Sequence, residues 1–74
     1  MIAKLDAYRV FCEVAKHRSF SKTAKSLYMT QPAVSQAIMN LESELGTRLF
    51  TRTSKGVNLT NDGRLLYEYV SSAT

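Results

Sequence analysis

The sequence predicts a mainly α-helical domain: a three-helix core, a small β-hairpin and one further helix at the C-terminal end. Three observations predict it. The run Gln31 to Leu45 carries apolar residues at helical spacing on one face and uncharged polar residues near its start. A shorter helical segment precedes it across a tight turn. Beyond Gly46, two short apolar stretches flank a basic turn that contains glycine.

Bulk properties bound the reading. At 74 residues the chain has room for one domain. Folding at this size buries only about 60% of the chain's surface, so the core is thin. The hydrophobic share is 45%, an ordinary globular value that argues against disorder. Ten Lys and Arg against six Asp and Glu leave a net charge of +4, with a pI near 9.5. That balance fits a polyanionic partner, although many small soluble domains carry as much. A single cysteine, Cys12, excludes an internal disulfide, and its apolar helical surroundings make it a buried thiol. The one histidine, His17, suits a solvated helix C-terminus. No window reaches the roughly 18 apolar residues that a membrane span needs. The opening MIAKLDAYRV has no apolar signal-peptide segment, so the cytoplasm is the expected compartment and no membrane partner is expected.

The first helix is expected over Leu5 to His17. Leu5, Tyr8, Phe11 or Cys12, and Ala15 form one stripe, with Lys4, Arg9, Glu13 and Lys16 largely off it. Arg18 to Ser21 breaks the pattern, and either serine can cap the next helix through its hydroxyl. Phe20 folds inward as an anchor. A short helix follows from Ser21 to Leu27, with Ala24 and Leu27 pointing in, and the small Ala24 allows a close helix crossing.

Tyr28, Met29 and Thr30 make the turn. Thr30 is the expected cap of the third helix. Pro32 sits in that helix's first turn, where its missing N–H has no partner to lose. Val34, Ile38, Leu41 and Leu45 form the core-facing stripe, and Gly46 is a natural left-handed stop. The hairpin is anchored by Leu49, Phe50, Val57 and Leu59, and its tip, Arg52 to Gly56, projects outward. Thr60 then caps a last helix, with Asn61 and Asp62 in the first turn. Its wide apolar stripe is Leu65, Leu66, Tyr69, Val70 and Ala73.

These elements add up to a winged helix-turn-helix, whose second helix is built to enter the major groove of DNA. Base edges there carry a distinct donor and acceptor code, read by side chains at the exposed start of the helix. Gln31 and Gln36 are carboxamides that can bond adenine N6 and N7 as a pair. Ser35 suits a phosphate or a nearby base edge, and Pro32 and Ala33 offer apolar contact to a thymine methyl. Arg52 and Lys55 on the wing, with Arg48 at its base, can neutralise phosphates or reach the minor groove. Lys22 and Lys25 can touch the DNA backbone, and Lys22, nearer its helix start, is the better placed. Taken singly, each of these residues also fits a solvated surface; the joint occurrence of turn, wing and charge favours DNA.

The residues Ser19-Phe20, Ala24, Leu27, the Gln31-Pro32-Ala33-Val34-Ser35 stretch, Leu41-Glu42, Leu45-Gly46, Leu49-Phe50, Arg52, Leu59-Thr60 and Gly63 come in a specific order. In that order the stretch Ser19 to Gly63 strongly resembles the N-terminal DNA-binding domain of LysR-type bacterial transcriptional regulators. Residues 5–18 and 64–74 resemble that family's first and linker helices less distinctively. The resemblance implies a sequence-specific double-stranded DNA-binding domain over 1–60 and the start of a linker and dimerisation helix over 61–74. It implies DNA contacts at Gln31, Pro32, Ser35 and Gln36, with wing contacts at Arg52 and Lys55; Thr30, Ala33 and Lys22 join the expected DNA-binding set from the reading of the residues themselves. It also implies a homodimer through the linker helix, at Leu66, Tyr69, Val70 and Ala73, and a homo-oligomer in the full-length protein. The site would be an interrupted palindrome with half-sites about one turn, some 34–36 Å, or a multiple apart. A small-molecule effector would act only through a C-terminal domain that these residues do not include.

Three positions depart from the family pattern. Gln36 stands where relatives often carry Arg, which exchanges a guanine preference for an adenine one. Tyr28 and Met29 are bulkier than the usual turn residues, and either packing on the core or lying beside a phosphate fits them. Two other classes of function are weaker. A winged-helix protein-interaction module has no need of a basic wing. An enzyme would need a nucleophile–base pair, a metal-ligand spacing or a phosphate loop, and Gly46, Gly56 and Gly63 stand singly. No metal or cofactor is therefore expected.

Overall fold

The computed structural model describes the backbone of residues 4–72 and the side chains of residues 7–72. In chain order it holds α1 (Lys4–His17), α2 (Phe20–Leu27), α3 (Gln31–Leu45), β1 (Phe50–Thr53), β2 (Gly56–Leu59) and α4 (Asn61–Ser72). This is the winged helix-turn-helix that the sequence predicts.

The starts of α2, α3 and α4 are made by residues expected there, and one ambiguity is resolved. Ser19, not Ser21, caps α2: its Oγ accepts from the Lys22 N–H at 3.1 Å. The Thr23 hydroxyl, fully buried, donates to the Ser19 carbonyl at 2.8 Å, so burying it leaves no unmet polar group. Thr30 Oγ1 accepts from the Ala33 N–H at 3.3 Å at the start of α3. Thr60 Oγ1 accepts from the Gly63 N–H at 3.0 Å at the start of α4. Gly46, at φ 71°, closes α3 by donating its N–H to the Glu42 carbonyl.

The core lies between α1, α2, α3 and the base of the hairpin. Phe11, Val14, Val34, Leu41 and Leu49 are essentially sealed from solvent. The Phe11 ring sits 5.4 Å from the Phe50 ring and 6.4 Å from the Tyr67 ring, centroid to centroid, which joins α1 to β1 and α4. Leu49, Phe50, Val57 and Leu59 anchor the hairpin as expected.

The antiparallel register pairs Phe50 with Leu59, Arg52 with Val57 and Thr53 with Gly56. Two further ties fix the hairpin's pose. The Val57 N–H donates to the Arg18 carbonyl at 3.3 Å. The Glu42 carboxylate accepts from the Leu49 N–H at 2.7 Å and the Phe50 N–H at 3.4 Å, so the end of α3 holds the entry to β1.

Three expected apolar faces need correction. On α1 the buried residues are Val10, Phe11 and Val14, while Tyr8, Cys12 and Ala15 are only partly covered. The helix is packed by α2, α3, α4 and β2, so its buried face is set by several neighbours and not by one stripe. Leu5's side chain lies outside the described residues. On α3, Ala37 completes the buried stripe, and Leu45 is 44% exposed. Leu45 has the correct helical phase, but no buried residue of α3 lies beyond Leu41.

On α4 the inward positions are Gly63, Leu66 and Tyr67, with Val70 half-buried on the same face. Leu65 and Tyr69 face solvent, at 66% and 74% exposure. The wide stripe expected on α4 therefore divides into an inner and an outer part. Ala73 lies outside the described residues.

Candidate nucleic-acid interface

The start of α3 presents the polar surface that its sequence pattern anticipates. Val34, Ala37 and Ile38 are buried, while Thr30 and Gln31 are exposed at the helix end, Pro32 and Gln36 are exposed on the far side, and Ala33 and Ser35 are half-buried. No acidic residue stands in the first turn of α2 or of α3. Both helix N-termini thus keep their uncompensated positive ends, which favour phosphate.

The charge pattern extends this. No Asp or Glu occurs between Glu13 and Glu42, nor between Glu44 and Asp62. Those two intervals hold α2, the turn, most of α3 and the whole wing, together with Arg18, Lys22, Lys25, Arg48, Arg52 and Lys55. Lys22, Lys25, Arg52 and Lys55 are all exposed.

Tertiary structure brings part of the expected set together. Ser35 from α3 and Arg52 from β1 line one groove with Phe20, Ile38, Met39, Glu42, Arg48 and Phe50. The Arg52 guanidinium lies over the Phe20 ring, 4.8 Å from its centroid. Arg52 is thereby held toward α2 and α3 instead of projecting freely with the tip. Lys55 stays at the tip, where its backbone N–H bonds Thr53 Oγ1 at 3.3 Å. Arg48 stands 3.8 Å from Glu42, and its side chain is 78% exposed, so the pairing is loose and screened.

Two residues outside the expected DNA-contact set, one of them the alternative cap candidate Ser21, touch the reading carboxamides. Ser21 Oγ donates to Gln31 Oε1 at 3.2 Å. Gln36 Nε2 donates to Asn40 Oδ1 at 2.9 Å. The second pair has a local signal, since an amide four residues along a helix is a natural partner. The first has none, because ten residues and a turn separate its members. The bulky turn residues also part company. Met29 packs on the core, while Tyr28 is 98% exposed.

The geometry is one exposed polar helix start with a basic hairpin beside it, and Glu42 is the acidic residue in the groove between them. Comparison with known proteins agrees with it. Residues 5–64 match the family model described as bacterial regulatory helix-turn-helix protein, lysR family. A probable RuBisCO transcriptional regulator from Porphyra purpurea is 48% identical over 65 residues, covering 88% of this chain and 20% of the relative. The HTH-type transcriptional regulator BlaA from Proteus vulgaris is 42% identical over 69 residues, covering 93% of this chain and 24% of the relative. The chain thus spans between a fifth and a quarter of these relatives. Among solved structures, the BenM DNA-binding domain in complex with catB site 1 DNA superposes with a TM-score of 0.90 at 38% identity, covering 96% of this chain and 80% of that one.

Proposed function

Because the chain belongs to the LysR family of bacterial regulatory helix-turn-helix proteins, we propose that it binds double-stranded DNA in a sequence-specific manner as part of a transcriptional regulator. In this reading α3 enters the major groove. Thr30, Gln31, Pro32, Ala33, Ser35 and Gln36 meet base edges and the adjoining phosphates. The wing, residues 52–56, lies on the backbone or in the minor groove through Arg52 and Lys55, and Lys22 contacts a phosphate from the start of α2.

The observation that carries this reading is the exposed polar start of α3 beside a basic wing, with Lys22, Lys25, Arg52 and Lys55 all exposed around them. The likeness to a domain solved on its DNA supports it. The named relatives are regulators of transcription, and the role proposed is binding, not catalysis. Among the described residues no helix is long and apolar enough to cross a membrane, and the proposed place of action is the cytoplasm.

The assembly belongs to the same proposal. Residues 1–60 form the DNA-binding unit and 61–74 begin a linker helix that pairs with a second copy. Tyr69 and the neighbouring Leu65 offer the exposed apolar surface for that pairing. Leu66 and Val70 are partly engaged with their own domain and meet a partner by their remaining surface; Ala73 completes the proposed contact. Two α3 helices related by a two-fold axis read an interrupted palindrome. Effector sensing is assigned to a C-terminal domain of the kind carried by longer regulators, and no effector site is proposed within these residues.

The test is selection of the chain on a randomised duplex pool at two salt concentrations, followed by sequencing. An enriched, salt-sensitive palindrome with half-sites about one helical turn apart supports specific dimeric reading. Salt-sensitive binding without enrichment overturns specificity in this chain. Absence of binding by the folded chain at either salt overturns the proposal.

A further inference from the structure

We infer that Ser21 is a positioning residue for base recognition: its hydroxyl, on α2, presets the carboxamide of Gln31, on α3. The inference rests on the proposal that α3 reads base edges. It adds a specificity determinant outside the reading helix and outside the residues expected to touch DNA.

The geometry is direct. Ser21 Oγ donates to Gln31 Oε1 at 3.2 Å, across the turn that joins the two helices. Both residues are exposed, so the bond is not a by-product of burial. The helices that carry them are held in register independently of it. The Met29 N–H closes the end of α2 on the Ala24 carbonyl at 2.8 Å, the Val34 N–H opens α3 on the Thr30 carbonyl at 3.1 Å, and buried packing joins the two helices. Ala24, Val34 and Ala37 are buried in one cluster. The spacing between the two helix starts is therefore set by the core, and Ser21 is a fixed post against which a flexible side chain leans.

A glutamine has several rotatable bonds and an amide whose two ends differ in hydrogen-bonding sense. To read a base it must be ordered, and it must be turned the right way round. The Ser21 bond takes one lone pair of Oε1. It leaves both Nε2 hydrogens and the second lone pair free, enough for paired bonding to adenine N7 and N6. Gln36 is braced differently, by Asn40 on its own helix at 2.9 Å, so that brace moves with the helix. The Ser21 brace instead ties a reading side chain to a second element.

The experiment compares the chain with Ser21→Ala, Ser21→Thr and Gln31→Ala in selection on the same randomised duplex pool, with circular dichroism confirming helix content. Gln31→Ala identifies the base pair that Gln31 reads. Ser21→Ala is expected to lower preference at that same base pair by about tenfold, within what one amide–base pair supplies. Binding to random duplex and its salt slope stay unchanged, and Ser21→Thr, which keeps the hydroxyl, restores the preference. Equal loss on all sequences after Ser21→Ala overturns the inference and makes Ser21 a backbone contact. Unchanged preference at the Gln31 base pair overturns it as well, while leaving α3 reading intact. A parent chain that enriches no sequence overturns the reading on which the inference rests, and the inference with it.

Discussion

The guanidinium of Arg52 lies 4.8 Å from the centroid of the Phe20 ring, joining the first strand of the wing to the start of α2. Phe20 is buried, and its ring also meets the Phe50 ring edge-on at 6.3 Å. A charge on the wing thus rests on an aromatic pair rooted in the core. The arrangement limits the wing's freedom while leaving Arg52 exposed enough to meet a phosphate.

Arg52→Ala is expected to have two separable effects. The salt dependence of DNA binding flattens by about one unit per subunit, across all sequences alike. Stability falls by about 0.5–1 kcal/mol, the scale of an exposed cation–π contact. Binding titrations over a salt series and urea denaturation measure the two. Arg52→Lys keeps the phosphate charge and restores the slope. An unchanged slope in the alanine variant removes Arg52 from the phosphate contacts.

Tyr28→Gly is expected to stabilise the fold. Tyr28 ends α2 in the left-handed region, at φ 56° and ψ 40°, where a Cβ is crowded. Its ring is 98% exposed and loses little packing on removal. The gain is about 0.5–1 kcal/mol, which raises the thermal midpoint by several degrees in a domain this small. A lower midpoint would show that the tyrosine side chain contributes more than its backbone strain costs.

Gly63→Ala is expected to be severe. A Cβ at this position would stand 2.1 Å from the Leu49 carbonyl oxygen and 3.0 Å from the Leu49 carbonyl carbon. Those atoms are backbone at the entry to the hairpin, held in turn by Glu42 and Thr60. Relief requires α4 to move off the domain, at a cost at or above the upper end of the roughly 1–3 kcal/mol usual for overpacking. The urea midpoint checks it, and a midpoint within experimental error of the parent would contradict this close approach.

Cys12 makes stability sensitive to alkaline pH. Burial pushes its thiol up from the ordinary value of 9.0; Lys16 pulls it part of the way back and Glu13 adds to the rise. The folded chain therefore holds the proton to higher pH than the unfolded chain. Below 9.0 both states are protonated and nothing is lost. As pH rises past 9.0 the unfolded state ionises first, and the folded state loses stability relative to it. Urea midpoints on either side of that pH should fall more in the parent than in Cys12→Ala. Near neutral pH the folded thiol should alkylate more slowly than the thiol of the chain in urea.

Much of the fold was legible because its signals are local. A cap needs a hydroxyl or a glycine next to the helix it closes, and Thr30, Gly46 and Thr60 stand where their helices begin or end. The hairpin followed from two apolar stretches about a basic turn, and its four anchors pack on the core as expected. The polar start of α3 was equally readable, since helical phase sends Gln36 away from Val34 and Ile38, and Gln31 stands at the first position of the helix.

Periodicity says which side of a helix is apolar, but not how many neighbours cover it or how far along they reach. That is why Leu45 and Tyr69 proved exposed, why Tyr67 took the inward place on α4, and why α1 buries Val10 and Val14. The sequence by itself determined the element order, the caps, the basic wing and the uncharged reading face. The tertiary structure alone decided that Ser21 meets Gln31, that Arg52 rests on Phe20 and that Gly63 lies against Leu49, because each pair is distant in the chain and close only once the core has brought their elements together.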